Sequence, residues 1–398
     1  MHAPRLTRDL KLMITFSGLR NVADLFLGTF LISFIMQLSE NELVATSTYK
    51  LCEYAATCAG FFLFANWCKR YNKVAVFALN LIPKIILLVS IILLGNRVAE
   101  FVIPLGLLYG IGAAMYHLPM NAMIGEKNTA ATTAKYVGFK NAMSYTAKIV
   151  APIVLGFFIN TASYTEMAYA LLGIAIIELV MVCFLTPSHH RSTQPIDFGG
   201  FARCMMRFPI IRKIFAMEAL RGFGIGLLGT VITIYTVYMF KTDLNLGIFT
   251  TIFAACSGLT SWLLGQYGKQ KHYPRILNIS VLAILITLML FVWRTTPATF
   301  LLYNFIYATA IVVLDQLCGV NMFNLSKSRC VTRNHKIEYF VFRDFALFIG
   351  RWVGFTGLMY IGVFGGYDWL RWYLIPITAS ILAAGIIAIR ISPHIRGR

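Results

Sequence analysis

The chain has 398 residues, 58% of them hydrophobic and only 13% charged, against about 25% charged in an ordinary soluble domain. That balance excludes a water-soluble globular fold. The net charge of +19 would suit a nucleic-acid surface only as a contiguous basic patch or arm, and here the basic residues lie scattered between apolar runs, which excludes nucleic acid as a partner.

Apolar runs of roughly 20 residues, enough to cross about 30 Å of hydrocarbon as helix, recur from Leu12 to Ile391. They predict an all-α integral membrane protein of twelve transmembrane helices, at 12–37, 44–67, 74–94, 100–124, 137–160, 166–186, 213–240, 245–267, 276–293, 297–325, 339–364 and 372–391. The first is not a cleaved signal peptide, because Arg20 and Asp24 interrupt its apolar region and no small-residue cleavage site follows. Those two residues are spaced i,i+4 and share a helical face. Glu53 in the second segment and Lys84 in the third have no partner visible in the sequence. The fourth carries Tyr109, His117 and Asn121, with glycines at 106, 110 and 112 suited to close helix packing. The fifth carries Lys140 and, a little over two turns on, Lys148; the sixth carries Glu178.

The longest polar connection, 187–212, holds Pro187, His189-His190, Pro195, Gly199-Gly200 and an Arg-rich amphipathic stretch. It reads as a linker lying on the membrane surface, its histidines solvated rather than metal-binding. Beyond it, the seventh segment places Glu218 and Arg221 at i,i+3. The tenth has Tyr307 and Asp315 at the spacing of Tyr109 and His117, followed by Asn321. Asp315 has no basic residue within a turn of its own helix. The eleventh has Arg343, Asp344, Arg351 and glycines at 350, 354 and 357.

These parallels form an internal repeat. Leu19-Arg20 with Leu27-Gly28-Thr29 recurs as Leu220-Arg221 with Leu228-Gly229-Thr230, and Glu42-Leu43 recurs as Asp243-Leu244, all at an offset of 201. Tyr136, Phe139, Lys140, Asn141 and Lys148 align with Tyr339, Phe342, Arg343, Asp344 and Arg351 at an offset of 203. Charged residues are rare here, so their agreement at fixed spacing argues for duplication.

With both termini in the cytoplasm, 23 basic residues fall on the inner side and five, Lys50, Arg97, Lys241, Arg294 and Arg371, on the outer. This asymmetry sets the orientation by the positive-inside rule. The eight cysteines lie in helices or on the inner side, where disulfides do not persist, and no C-x-x-C spacing suggests a metal. There is no phosphate loop, H-E-x-x-H or nucleophile elbow, so neither an enzyme nor a cofactor is expected.

Six helices, a long inner linker and six related helices resemble the major facilitator superfamily, as found in bacteria, across the whole chain. The family's loop signature, G-x-x-x-D-R-x-G-R-R, would begin at Ala65; Arg70 and Lys73 match it, whereas Ala65, Lys69 and Asn72 replace the first Gly, the Asp and the second Gly. The helix-five drug-antiporter signature is also partial, Ala151-Pro152 being followed by Gly156. The resemblance implies two pseudo-symmetric six-helix bundles, 1–186 and 213–398, joined by the cytoplasmic linker 187–212 and rocking around a central site.

It further implies that the first, fourth, seventh and tenth helices line a cavity. Arg20 and Arg221 would then suit bidentate binding of a phosphate or carboxylate, with Lys148, Arg351, Asn121 and Asn321 as further substrate contacts. Asp24, Asp315, His117 and Glu218 are candidates for proton coupling or gating. Structural pairing of the two arginines with their neighbours stays open beside this reading. The expected function is alternating-access transport of a small anionic solute, by proton coupling or exchange, by a monomer in the cell membrane. An exporter of amphipathic drugs or lipids and a non-transporting receptor are the alternatives.

Overall fold

In a computed structural model the chain is described over residues 7–70, 72–127, 130–186, 195–267, 273–326 and 335–396. The His189-His190 pair and its flanks, 187–194, lie outside the described residues, as does Cys330.

The chain starts with α1 (Arg8–Leu25), whose Thr7 hydroxyl caps the first turn by accepting from the Leu10 amide. A π-helical turn, Phe26–Phe30, joins it without a break to α2 (Leu31–Leu38). There follow α3 (Glu42–Arg70), α4 (Lys73–Leu79) running into α5 (Leu81–Leu94), a 3-10 turn over Gly95–Phe101, α6 (Val102–Lys127), α7 (Ala130–Thr161) and α8 (Tyr164–Val182). The short α9 (Phe198–Arg207) precedes α10 (Pro209–Phe240), α11 (Asp243–Tyr267), α12 (Tyr273–Trp293), α13 (Pro297–Ser326), α14 (Lys336–Phe364) and α15 (Gly366–Arg396). With α1–α2 and α4–α5 each counted as one rod and α9 set aside, the described residues form twelve helices of membrane-crossing length. Nine stretches among them meet the length and composition of a membrane span, one of which, Lys73–Ile124, covers two helices.

The distribution of side chains is that of a protein in lipid. Leu63, Leu93, Phe364 and Trp293 lie 66–90% exposed, while Arg20, Glu53, Lys84, Glu178 and Glu218 are buried. In water so much exposed apolar surface drives association; in hydrocarbon it is the solvated face, and polar groups turn inward to find partners.

The chain divides into two compact units, Met1–Ile196 with Phe240–Thr251, and Asp197–Met239 with Ile252–Arg398. In the first, Phe16, Phe77 and Tyr116 stack at one end, with Phe16–Phe77 centroids 4.7 Å apart and Phe77–Tyr116 5.5 Å apart. Along the middle, α6 lies directly on α3. A side chain at Gly106 would come within 2.5 Å of the Tyr49 carbonyl, and Gly110 abuts the Glu53 carbonyl in the same way. In the second unit, Tyr235, Phe291 and Phe300 form a ring cluster with centroids 5.4–5.7 Å apart. There α10 and α14 cross through Gly222 against Leu347 and Gly350 against Ala219. Helix α9 buries Phe201 completely among Phe215, Tyr339 and Phe342 and turns Arg203, Met206 and Arg207 outward.

Candidate functional site

Each unit carries its own cluster of charge on the repeat-related helices. In the first, Arg20 is 3% exposed and its Nε meets Asp24 Oδ1 at 2.7 Å, one turn along α1. The Tyr109 hydroxyl of α6 donates to the same oxygen at 3.1 Å. The Arg20 guanidinium also lies over the rings of Tyr116 and Tyr109, 5.0 and 5.8 Å from their centroids. A buried guanidinium is tolerable because a carboxylate and two π faces replace its water.

Beside Tyr109 sits a second pair, Lys50 Nζ with Glu53 Oε2 at 2.7 Å. This corrects the placement of Lys50 in an outer connection, since the lysine is 5% exposed within α3. The i,i+3 spacing from Lys50 to Glu53, inside an apolar run, was the available sequence signal. The π-helical turn falls beside these charges. A side chain at Gly28 would stand 3.9 Å from the Lys50 ammonium and 4.0 Å from the Tyr109 hydroxyl. Single π turns inside α-helices concentrate at functional sites. The repeat partner of this segment, around Gly229, stays α-helical, so the duplication is broken here.

The second cluster is wired differently. Arg221 Nη1 donates to both oxygens of Glu218 at 3.0–3.1 Å, and its Nε and Nη2 donate to Asp315 Oδ1 at 3.2 and 2.9 Å. Arg343 of α14 approaches Glu218 at 3.6 Å and Asp344 at 3.8 Å. Glu218 is fully buried, while the Asp315 side chain is 45% exposed. Thus Arg20 takes its carboxylate from its own helix, whereas Arg221 takes a second one from α13, at the position His117 occupies in α6. Asp315 has no base within a turn of its own helix, and the tertiary fold supplies Arg221 from α10.

The remaining candidates form none of the ion pairs just described. His117 is exposed on α6, its ring edge-on to Tyr116 at 4.9 Å; Asn121 is half-buried; Lys148 is exposed on α7. Arg351 lies along α10 where Gly226 leaves room, its Cγ and Nε 3.0 Å from the place of a side chain there. Asn321, 1% exposed, donates to the Ala388 carbonyl at 2.8 Å and so ties α13 to α15. A third ion pair was not foreseen. Lys84 Nζ meets Glu178 Oε2 at 2.6 Å, joining α5 to α8 with both side chains buried. Among the described residues no group of acids, histidines and cysteines is arranged to hold a metal ion.

A sequence profile of the Major Facilitator Superfamily matches residues 16–326. The Bacillus subtilis (strain 168) protein YqgE is 22% identical over 386 residues, covering 96% of this chain and 88% of that protein. Among solved structures, a D-xylose-proton symporter superposes with a TM-score of 0.73 at 14% identity, covering 98% of this chain and 99% of that one. The human organic anion transporter MFSD10 gives 0.66 at 12%, with 96% and 100% covered. A bacterial homologue of the iron transporter ferroportin, outward-facing, gives 0.68 at 11%, with 97% and 100% covered. At such identities these structures speak for the fold.

Proposed function

This chain belongs to the Major Facilitator Superfamily, a multi-pass membrane transporter of small molecules, and on that premise we propose that its cargo is an anion bearing a phosphate or carboxylate. The solved relatives are titled for a sugar, an organic anion and iron, so the shared fold does not choose a cargo. The balance of charge along the apolar spans favours one. Set back from their ends, the apolar spans hold eight bases, Arg20, Lys50, Lys84, Lys140, Lys148, Arg221, Arg343 and Arg351, against six acids, Asp24, Glu53, Glu178, Glu218, Asp315 and Asp344. Unbalanced positive charge in hydrocarbon is costly, and an anionic cargo supplies the missing counter-charge.

Arg20 and Arg221 are the proposed principal contacts, with Lys148, Arg351, Asn121 and Asn321 as further contacts. Asp24, Asp315, His117 and Glu218 are proposed for coupling or gating. Of these, Asp315 is the most accessible member of its cluster; a proton would compete with Arg221 for its carboxylate, and a cargo anion would compete with it for Arg221. The termini and the 187–212 linker are placed in the cytoplasm, the 1–186 and 213–398 halves are taken as the two repeats, and the monomer is the transporting unit.

The test has two arms. A panel of phosphorylated and carboxylated metabolites beside cationic drugs is screened by thermal shift in detergent; anions should stabilise the wild type and not Arg221→Gln, and stabilisation by the cationic drugs alone would overturn the reading. With a cargo in hand, Asp315→Asn in proteoliposomes should abolish uptake driven by a pH gradient while sparing exchange of labelled for unlabelled cargo. Gradient-driven uptake that survives the substitution removes Asp315 from coupling.

A further inference from the structure

The hairpin joining α14 to α15 borders an open cavity of about 660 Å³. Gly366, with φ of +57°, makes the left-handed turn that reverses the chain. Tyr360 of α14 and Asp368, Trp369, Arg371, Trp372 and Tyr373 of α15 line the space. The Tyr373 hydroxyl donates to the Gly354 carbonyl at 2.9 Å and its ring packs where Gly357 has no side chain, so the wall is pinned.

Two features of this cavity call for a ligand. Asp368 and Arg371 lie one turn apart, where an acid and a base ordinarily pair, yet neither forms an ion pair with the other or with any other described residue. Arg371 lies over the Trp372 ring at 5.6 Å, and its Nε is shielded from solvent with no hydrogen-bond acceptor. An exposed carboxylate, a half-buried guanidinium and four aromatic rings around one cavity complement a zwitterion: a phosphate for the guanidinium, an ammonium for the carboxylate and the ring faces.

Position selects the source of that zwitterion. The cavity lies at the end of two membrane-crossing helices, the level at which Trp and Tyr concentrate at a bilayer boundary. Trp369, Trp372 and Tyr360 are 51–56% exposed around it, and Val363 and Phe364, 54% and 66% exposed, extend an apolar flank next to it. We propose that the α14–α15 hairpin binds the headgroup of an amine-bearing phospholipid, with Arg371 on the phosphate, Asp368 on the ammonium and the acyl chains along the flank. This inference requires only that α14 and α15 cross a bilayer, and stands independently of the cargo.

The experiment uses the full chain purified in detergent. Phosphatidylethanolamine should raise the unfolding temperature in a saturable titration, and its midpoint should rise roughly tenfold in Arg371→Gln and in Asp368→Asn, as loss of one charge-assisted contact implies. A phosphatidylethanolamine carrying a photoreactive group on its amine should cross-link the wild type within residues 357–376, a readout that needs no variant to fold. Equal stabilisation by phosphatidylglycerol, which lacks the ammonium, would overturn the proposal. So would an equal effect of water-soluble phosphoethanolamine, variants that titrate like the wild type, or cross-links confined to other segments.

Discussion

Lys84 and Glu178 meet at 2.6 Å with side chains 2% and 0% exposed, and the consequence of such burial is asymmetric. Both ions have lost their water, and each is tolerated only because the other is present. Lys84→Met strands Glu178 and should cost about 3–5 kcal/mol, whereas Lys84→Met combined with Glu178→Leu should recover most of that loss. Unfolding midpoints in detergent for the two variants decide it; a double variant no more stable than the single one would contradict the argument. Asp315 is the opposite case, because its side chain is 45% exposed and water shares the work of Arg221. Its substitution should register in coupling far more than in stability. Arg20, 3% exposed between Asp24 and two tyrosine rings, combines both situations, and contact with a cargo there requires Asp24 to yield.

Asp243 heads α11 and shows how a helix terminus is seated. Its carboxylate accepts from Ser33 Oγ at 2.7 Å, from the Tyr164 hydroxyl at 2.6 Å and from Gln37 Nε2 at 3.1 Å, so donors from α2 and α8 hold an acid at the positive end of the helix dipole. One turn on, α11 crosses α7 at two glycines. A side chain at Gly156 would stand 2.6 Å from the Asp243 carbonyl, and one at Gly247 would abut the Pro152 carbonyl. Thr251 then donates to the Ile149 carbonyl at 2.9 Å. Because the obstructing atoms are backbone, Gly247→Leu has no side chain to displace and must push the helices apart, at about 1–3 kcal/mol. Thermal unfolding unchanged by that substitution would show that the crossing is looser than the geometry indicates.

At the scale of the whole molecule, the distribution of charge is what supports the proposed orientation. In that orientation, with Lys50 set inside α3, four bases, Arg97, Lys241, Arg294 and Arg371, remain towards the outer ends against the 23 assigned to the inner side. In a chain with its own cysteines replaced, single cysteines at 192 and 396 should resist an impermeant reagent applied outside intact cells, and one at 163 should react. Labelling at 192 or 396, or none at 163, would reverse the orientation. Family and fold together make this chain a transporter, and the same exposed apolar belt that forbids a soluble state is what seats it in lipid.

The sequence by itself determined the class of the protein, because a membrane span is a local property: about 20 apolar residues in a row are legible wherever they occur. It also determined the duplication, since Arg20 and Arg221 stand 201 residues apart amid matching neighbours. The pairing of Arg20 with Asp24 was legible for the same reason, one helical turn being a fixed spacing. Only the tertiary structure decided which charges meet across helices. Lys84 finds Glu178 and Arg221 finds Asp315 across separations of 94 residues, which no helical period specifies. The same holds for the break in symmetry, where near-identical Leu-Gly-Thr segments become a π turn beside Lys50 and Tyr109 in one half and regular helix in the other. Local sequence specifies a helix and its face; the neighbour that face meets depends on how the helices pack, and in hydrocarbon that choice is made by small residues allowing close approach and by polar groups that must find partners.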